Sequence, residues 1–332
     1  MAVVAHSSDL GLFHHDEALT GYAQGYAQDA TMFIADQIAP PIPVENKSDT
    51  YYVGKTERLQ RHNVRRAPGG LFAQIEWEVS EDAYIAKPYG CEVTAPWEWS
   101  KNADAAIDFE QQNSVLAVDV LMLDYEARVA AAASSTSNFT HNDAAEEWDE
   151  VATGVSVSDP YSDIETAKAI VIAATGHVPN TVWMNYPTYR ALVNNTNMRE
   201  RVKYTEMGSA AVITPNLLCH VFDIEKLLVG KAVYDASVPG SGVDPAMTWV
   251  WPTGTVGVAY IDNRIATLRA AILAPMRTFV WTAMGGRFST RSYVFDPRNA
   301  NVVQCADYVD EKVTCAGAQT LITACVAVTS DD

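Results

Sequence analysis

The sequence predicts an α+β protein, and three observations carry that expectation. From Asp104 to Ala133 the residues are helix formers with no Gly or Pro among them, enough for one helix of roughly 43 Å at about 1.5 Å per residue. Residues 155–287 alternate helical patterns with short β runs, and the chain from Phe288 onward reads as mainly β. At 332 residues the length suits two domains or one composite domain with a sizeable core.

Residues 1–45 read as an arm. A polar, Gly-containing stretch leads to the apolar patch Met32-Phe33-Ile34, which runs into Pro40-Pro41-Ile42-Pro43, where a helix cannot continue. Residues 46–85 hold a long β-hairpin. Tyr51 and Val53 share a face of its first strand, and Ile75, Trp77 and Val79 alternate with Glu76, Glu78 and Ser80 on its second. Ala67-Pro68-Gly69-Gly70 supplies the turn between them.

Residues 86–154 contain the long helix, with Asp104 as its expected N-cap. Asp108, Gln112, Asp119 and Glu126 recur at helical spacing as one polar stripe, and Val115, Leu116, Val118, Leu121, Met122 and Tyr125 cover much of the rest. A loop rich in Ser, Thr and Asn and an acidic patch, 143–150, follow. In residues 155–287, Ser162 and Glu165 have capping-box spacing before a helix that stops at Gly176. Thr181 to Asn185 reads as a buried strand, Pro187 to Val193 as a short helix, and Thr214-Pro215 as the opening of a helix through Phe222. Short β runs follow at 226–234, 248–251 and 255–261, and residues 288–332 close the chain with β runs around Tyr293, Val302-Val303 and Val313.

The charge is 23 Lys and Arg against 41 Asp and Glu, a net of −18, which argues against a general nucleic-acid binder because phosphate contacts need clustered cations. Hydrophobic residues make up 48% and charged residues 19%, so the chain is neither a disordered acidic tail nor a low-complexity protein. The N-terminus lacks a basic segment followed by an apolar run, and Leu321 to Val328 is far short of the roughly 20 residues of a membrane span, so neither export nor membrane contact is expected. The five cysteines, 91, 219, 305, 315 and 325, are scattered with no C-x-x-C pair and read as reduced packing residues.

Catalytic, cofactor and metal sites are not indicated. The adjacent His14 and His15 would rarely face one metal, and H-E-x-x-H, G-x-S-x-G and the phosphate-loop pattern are absent. Gly240-Ser241-Gly242 lacks the third Gly and the helix of a dinucleotide loop and reads as a turn. Glu76 and Glu78 share the polar face of a strand, where solvent or a neighbour is a commoner partner than acid/base chemistry. Trp97 and Trp99 read as half-buried strand packing.

The most informative local feature is basic. Lys55, Arg58, Arg61, Arg65 and Arg66 lie on the ascending limb of the hairpin with only Glu57 opposing them, a reversal of sign in an acidic chain. A solvated hairpin, a DNA contact and docking on an acidic surface of a neighbouring copy are the three readings. The last is favoured because the same chain supplies acid in excess.

The order of parts resembles the Hong Kong 97-like major capsid proteins of tailed bacteriophages. The local wording is similar at Ile170 to Asn185 with Tyr186-Pro187-Thr188-Tyr189, at Leu227 to Tyr234 before Trp249-Val250-Trp251, and at Phe279-Val280-Trp281 before a β tail. The resemblance implies a fold with an N-terminal arm (1–45), an extended hairpin or E-loop (46–85), a peripheral domain on a long spine helix (86–154), an axial α/β domain (155–287) and a return to the peripheral domain (288–332). It also implies hexamers and pentamers forming an icosahedral shell in the virion, around double-stranded DNA that is held without sequence-specific binding. Each hairpin would lie across the next subunit, which makes Lys55, Arg58, Arg61, Arg65, Arg66, Glu76 and Glu78 the inter-subunit contact candidates. A separate scaffolding protein is expected because Met1 lies close to the start of the arm; a portal and a decoration protein are further implied partners, and assembly in the host cytoplasm the implied setting. Lys55 is on the hairpin that carries cross-linking lysines in some relatives, but no acceptor is matched, so no cross-link is expected. The alternatives are an encapsulin-type compartment enclosing cargo enzymes and a cytosolic α/β enzyme with a deep polar pocket.

Overall fold

The long helix joins two sheets. The computed structural model describes residues 32–53, 61, 62, 64–66, 68, 69, 72, 74, 80–97, 109–152, 155, 156, 158–205, 213–237, 246–262 and 273–327. The chain opens with helix α1 (Ala35–Ile38) and strands β1 (Pro41–Val44), β2 (Ser48–Val53), β3 (Ser80–Ile85) and β4 (Lys87–Pro96). Helix α2 (Phe109–Ala133) leads to β5 (Thr140–Asp143), the short pair β6 (Val151–Ala152) and β7 (Val155–Ser156), and helix α3 (Pro160–Thr175). Then come β8 (Thr181–Asn185), α4 (Tyr186–Asn194), α5 (Thr196–Thr205), α6 (Pro215–Phe222), β9 (Lys226–Gly230), β10 (Val233–Asp235), β11 (Met247–Trp249) and β12 (Val256–Ala259). The chain closes with β13 (Met276–Trp281), β14 (Ser289–Phe295), β15 (Ala300–Val313) and β16 (Gln319–Thr323).

The first sheet is built on β15, whose 14 residues are long enough to pair with β13 and β14 along one edge and β4 along the other. Strand β1 adds parallel to β13 at the edge. Its sequence Pro-Ile-Pro-Val buries Ile42 and Val44 and exposes Pro41 and Pro43, a pattern an edge strand tolerates because one side has no ladder to complete. Cys305 of this sheet and the neighbouring Phe288 pack on Ala117, Val118, Leu121 and Met122 in the first half of α2.

The second sheet has the order β5-β16-β12-β8-β9. All five residues of β8 are buried, as the apolar run Thr-Val-Trp-Met-Asn requires of a central strand. One face packs under α3, α4, α5 and α6 through Val182, Met184, Ile164, Leu192, Met198, Leu218 and Phe222. The other packs Trp183, Leu228 and Leu321 against Tyr125, Val129, Ala130 and Ala133 in the second half of α2.

Several sequence expectations are corrected. Within the expected arm, Ile34, Ala35, Ile38, Ala39, Ile42 and Val44 are all buried in the body of the same chain; residues 1–31 lie outside the described residues. Glu126 does not belong to a solvent stripe, being 1% exposed. Ser162 is no N-cap: α3 starts two residues earlier, where Pro160 has the fixed φ of a first helical turn, and Ser162 is already inside, its carbonyl accepting from Thr166 Oγ1. Helix α5 has no signature in the local sequence pattern. Asn195 Oδ1 accepts from the amides of Asn197 and Met198 at its start, and Met198 and Val202 bury one turn apart on a polar sequence. Residues 288–332 do not all return to the sheet of β15, since β16 lies between β5 and β12 in the second sheet, and β13, expected in the axial unit, belongs to the first. Asp104 and Asp108 lie outside the described residues, while the helix ends at Ala133 as expected.

Candidate functional site

The hairpin projects from a buried aromatic anchor. Strands β2 and β3 pair antiparallel from Ser48 opposite Ile85 to Val53 opposite Ser80. At the base, Tyr51 and Tyr84 turn inward onto Phe279 of β13, with ring centroids 4.8 and 4.6 Å away. Such aromatic contacts add about 0.5–1.5 kcal/mol each beyond the area they bury. Polar bonds fix the same joint. Tyr51 donates its hydroxyl to Asp82 Oδ2 at 3.0 Å, Tyr84 to the Asn46 carbonyl at 3.1 Å, and the Ile85 amide to Asp310 Oδ2 at 3.0 Å. Burial, reinforced by Asp82, pushes the Tyr51 phenol up, so it stays a neutral donor. Trp281 Nε1 and Thr282 Oγ1 bond the carbonyls of Glu45 and Val44, which holds the entry to β2 on the body.

Beyond the anchor the hairpin has no core of its own among the described residues. Val64 is 71% and Phe72 81% exposed. Arg61, Arg65 and Arg66 are exposed as well, and the Arg66 guanidinium stands 4.1 Å over the Phe72 ring. Three of the candidate contact residues, Arg61, Arg65 and Arg66, are thus exposed. Lys55, Arg58, Glu76 and Glu78 lie outside the described residues.

The root of the arm is held by buried charge. Arg287 bonds Asp36 of α1 at 3.0 Å and Asp307 of β15 at 2.9 Å, with its guanidinium 4.2 Å over Tyr125 of α2. Burial opposes that charge, but Tyr125, Asp307 and Asp36 around it hold it above the usual arginine value. Burial pushes the Asp307 carboxyl up while Arg287 draws it back. Sequence reasoning singled out neither this cluster nor Tyr84, since each needs partners far along the chain.

A shallow cavity of about 910 Å³ crosses the sheet of β4, β14 and β15, lined by Glu92, Met284, Arg291, Gln304 and Tyr308 and reaching Cys91 and Cys305. Burial pushes both thiols up, Cys305 to about 12, which disfavours the thiolate that nucleophilic chemistry needs. Glu92 and Arg291 meet on Gln304 in a cross-strand ladder. Among the described residues no three His, Cys, Asp or Glu side chains are grouped to hold a metal, and no helix is long and apolar enough to cross a membrane.

No protein-family model matches the chain. It is 24% identical over 227 residues to the major capsid protein of Burkholderia phage BcepMu, a match spanning 66% of this chain and 69% of that one. Among solved structures, a phage-related protein of Bordetella bronchiseptica RB50 is similar with a TM-score of 0.68 and 21% identity, covering 94% of this chain and 98% of that one. The capsid of cyanophage P-SCSP1u is similar with a TM-score of 0.55 and 11% identity, covering 90% and 89%. With its long helix between two sheets and its anchored hairpin, the chain has the Hong Kong 97-like α+β fold, and over 227 residues its sequence is similar to that of a phage major capsid protein.

Proposed function

We propose that the chain is the structural subunit of a tailed-phage capsid, assembling as hexamers and pentamers into an icosahedral shell around double-stranded DNA. The observation that carries this reading is the hairpin: a protrusion anchored by Tyr51, Tyr84 and Phe279, whose described tip residues Val64 and Phe72 are 71% and 81% exposed. An apolar tip of this kind gains stability only when another surface covers it. The net charge of −18 supports packaged DNA that is not gripped by the shell wall.

In this reading residues 46–85 form the E-loop laid across the next subunit, with Lys55, Arg58, Arg61, Arg65, Arg66, Glu76 and Glu78 as contact residues. Residues 1–45, the long-helix body and the second-sheet body act as arm, peripheral and axial parts. The protein acts by association rather than catalysis. A scaffolding protein and a portal take part during assembly in the host cytoplasm, and a decoration protein can bind afterwards.

Electron microscopy of the protein expressed with and without the neighbouring phage genes tests the reading. Closed icosahedral particles that fill with DNA during infection are expected. A monomer at high concentration even with a scaffold present sinks it, and particles filled with a cargo enzyme favour a compartment instead.

A further inference from the structure

The register of the first sheet sets two of the five cysteines directly opposite each other: Cys91 of β4 faces Cys305 of β15 in the antiparallel ladder. Opposed residues of such a ladder point to the same side of the sheet, and this side is covered by α2. Cys305 is 1% exposed and packs with Ala117, Val118, Leu121 and Met122, and Cys91 packs against the same cluster. Cys91 Sγ donates to the Ala117 carbonyl at 3.2 Å. Burial pushes the Cys305 thiol up and Cys91 beside it adds to that effect, while the Thr290 hydroxyl, 3.9 Å from the sulfur, works against it.

The spacing of the ladder suits a bond between the two sulfurs. Antiparallel partners have Cα atoms about 4.5 or 5.5 Å apart, within the roughly 4.4–6.8 Å that a disulfide spans. Their Cβ atoms stand about 4.5–5.5 Å apart and a disulfide draws them to about 3.8 Å, so β4 must close slightly on β15. Gly90 leaves room for that, because a Cβ at this position would already stand 3.2 Å from the Cys305 carbonyl oxygen and resist any closer approach. The two thiols differ in access, Cys91 being half-buried and Cys305 enclosed.

We propose that Cys91 and Cys305 are a peroxide-responsive dithiol that closes into a disulfide between β4 and β15. Cys91, the more accessible sulfur, reacts first. Its thiolate attacks one oxygen of hydrogen peroxide, the O–O bond breaks, and the other oxygen leaves as water, giving a sulfenic acid. Cys305 then attacks the Cys91 sulfur: the S–S bond forms, the S–O bond breaks, and the hydroxide leaves with the Cys305 proton as water. Two thiols and one peroxide become one disulfide and two waters. Burial holds both thiols in the protonated form, so the reaction is slow and the pair stays reduced wherever peroxide is scarce. The bond fastens β4 to β15 beneath the first half of α2, and it forms within one chain whether or not copies assemble.

The full chain, folded and treated with a hydrogen peroxide series, tests this after free thiols are blocked and the protein is digested without reductant. The expected product is a peptide pair joined between positions 91 and 305 that dithiothreitol separates. Met247, 61% exposed, reports that the oxidant was sufficient. Cys305→Ala is expected to stop at a sulfenic acid on Cys91, which dimedone traps, because the sulfur that would displace the hydroxide is gone. Oxidation of Cys91 to sulfinic acid with Cys305 still free, a bond from either residue to another cysteine or another copy, or both thiols untouched at doses that convert Met247 to its sulfoxide overturn the proposal. Should Cys305→Ala not fold, the peptide map of the unaltered chain decides alone.

Discussion

Glu126, in the middle of α2, accepts a 2.6 Å hydrogen bond from the indole Nε1 of Trp251, a residue that sits 125 positions further along the chain. The same carboxylate accepts the amides of Ile34 at 2.8 Å and Ala35 at 2.9 Å. One side chain thereby ties the root of the arm, the long helix and the turn between β11 and β12. Replacing it removes the acceptor for three buried donors, each costing about 1–3 kcal/mol when left unpaired. Glu126→Leu is expected to lose several kcal/mol. Glu126→Gln keeps one oxygen for Ile34 and Trp251 but turns an amide donor toward the Ala35 N–H, so it loses less. Urea denaturation of the three proteins checks the order wild type, Gln, Leu; equal midpoints would show that the carboxylate ties nothing.

The same group sets a pH dependence. Burial pushes the Glu126 carboxyl above its ordinary value of 4.5, although the bonds from Ile34, Trp251 and Ala35 pull against that. A carboxyl whose folded pKa lies above its unfolded one binds more protons when folded, so its contribution is fully present below pH 4.5 and is lost as pH rises through the folded value. Glu126→Gln has no such titration. The stability advantage of the wild type over Glu126→Gln is therefore expected to be larger at acid pH than at pH 8. Denaturation midpoints measured from pH 4 to pH 8 decide it, and an advantage that instead grows with pH would mean the three hydrogen bonds outweigh burial.

Two tryptophans at the junction rest on glycines. A Cβ on Gly257 would fall inside the Trp183 ring, and one on Gly230 would meet Trp251. The two indoles contact each other with centroids 5.0 Å apart, and both are fully buried. Gly257→Ala must therefore displace Trp183 from between β12 and α2. Overpacking of this kind costs about 1–3 kcal/mol. A lowered denaturation midpoint with a red-shifted tryptophan emission is expected, and an unchanged spectrum would contradict the packing described.

Features written in local periodicity were legible in the sequence. The end of α2 at Ala133, the buried β8, the stop at Gly176 and the helix from Thr214 through Phe222 all depend on residues within a few positions of each other. The basic run was legible for the same reason, because Arg61, Arg65 and Arg66 stand close together in the chain with only Glu57 of opposite sign beside them. Features that depend on distant partners were not. Glu126 reads as one more polar residue at helical spacing until Ile34 and Trp251 are beside it. Leu116 and Val120 belong to an apolar run that local patterning cannot divide into a buried and an exposed half. The split of 288–332 between two sheets follows from β16 finding β5 and β12, pairings over 60 residues or more that no local signal encodes.

The hairpin anchor and the hairpin tip are expected to separate by mutation. Phe279→Ala removes the ring against which Tyr51 and Tyr84 lie and opens a cavity in the first sheet, a change that typically costs about 3–5 kcal/mol. Amide exchange of residues 49–53 should accelerate more than that of β8, which lies in the other sheet. Uniform acceleration across both sheets would mean the anchor is not a local joint.

Reversing charge at the tip acts on association alone. Arg61 and Arg65 are exposed, so Arg61→Glu and Arg65→Glu reverse charge without opening a core, and Arg58→Glu adds a third reversal in the same basic run of the sequence. Surface substitutions of that kind usually change stability by about 0.5 kcal/mol or less each. The triple variant is expected to keep the denaturation midpoint of the wild type while forming no shells, because the acidic body of the next copy now repels the tip. Wild-type assembly should weaken as salt rises, since exposed pairs are screened over roughly 10 Å at 0.1 M ionic strength, whereas the residual association of the variant should strengthen. Sedimentation velocity across a salt series reads both signs in one experiment, and normal shells from the triple variant at low salt would remove the basic limb from the interface.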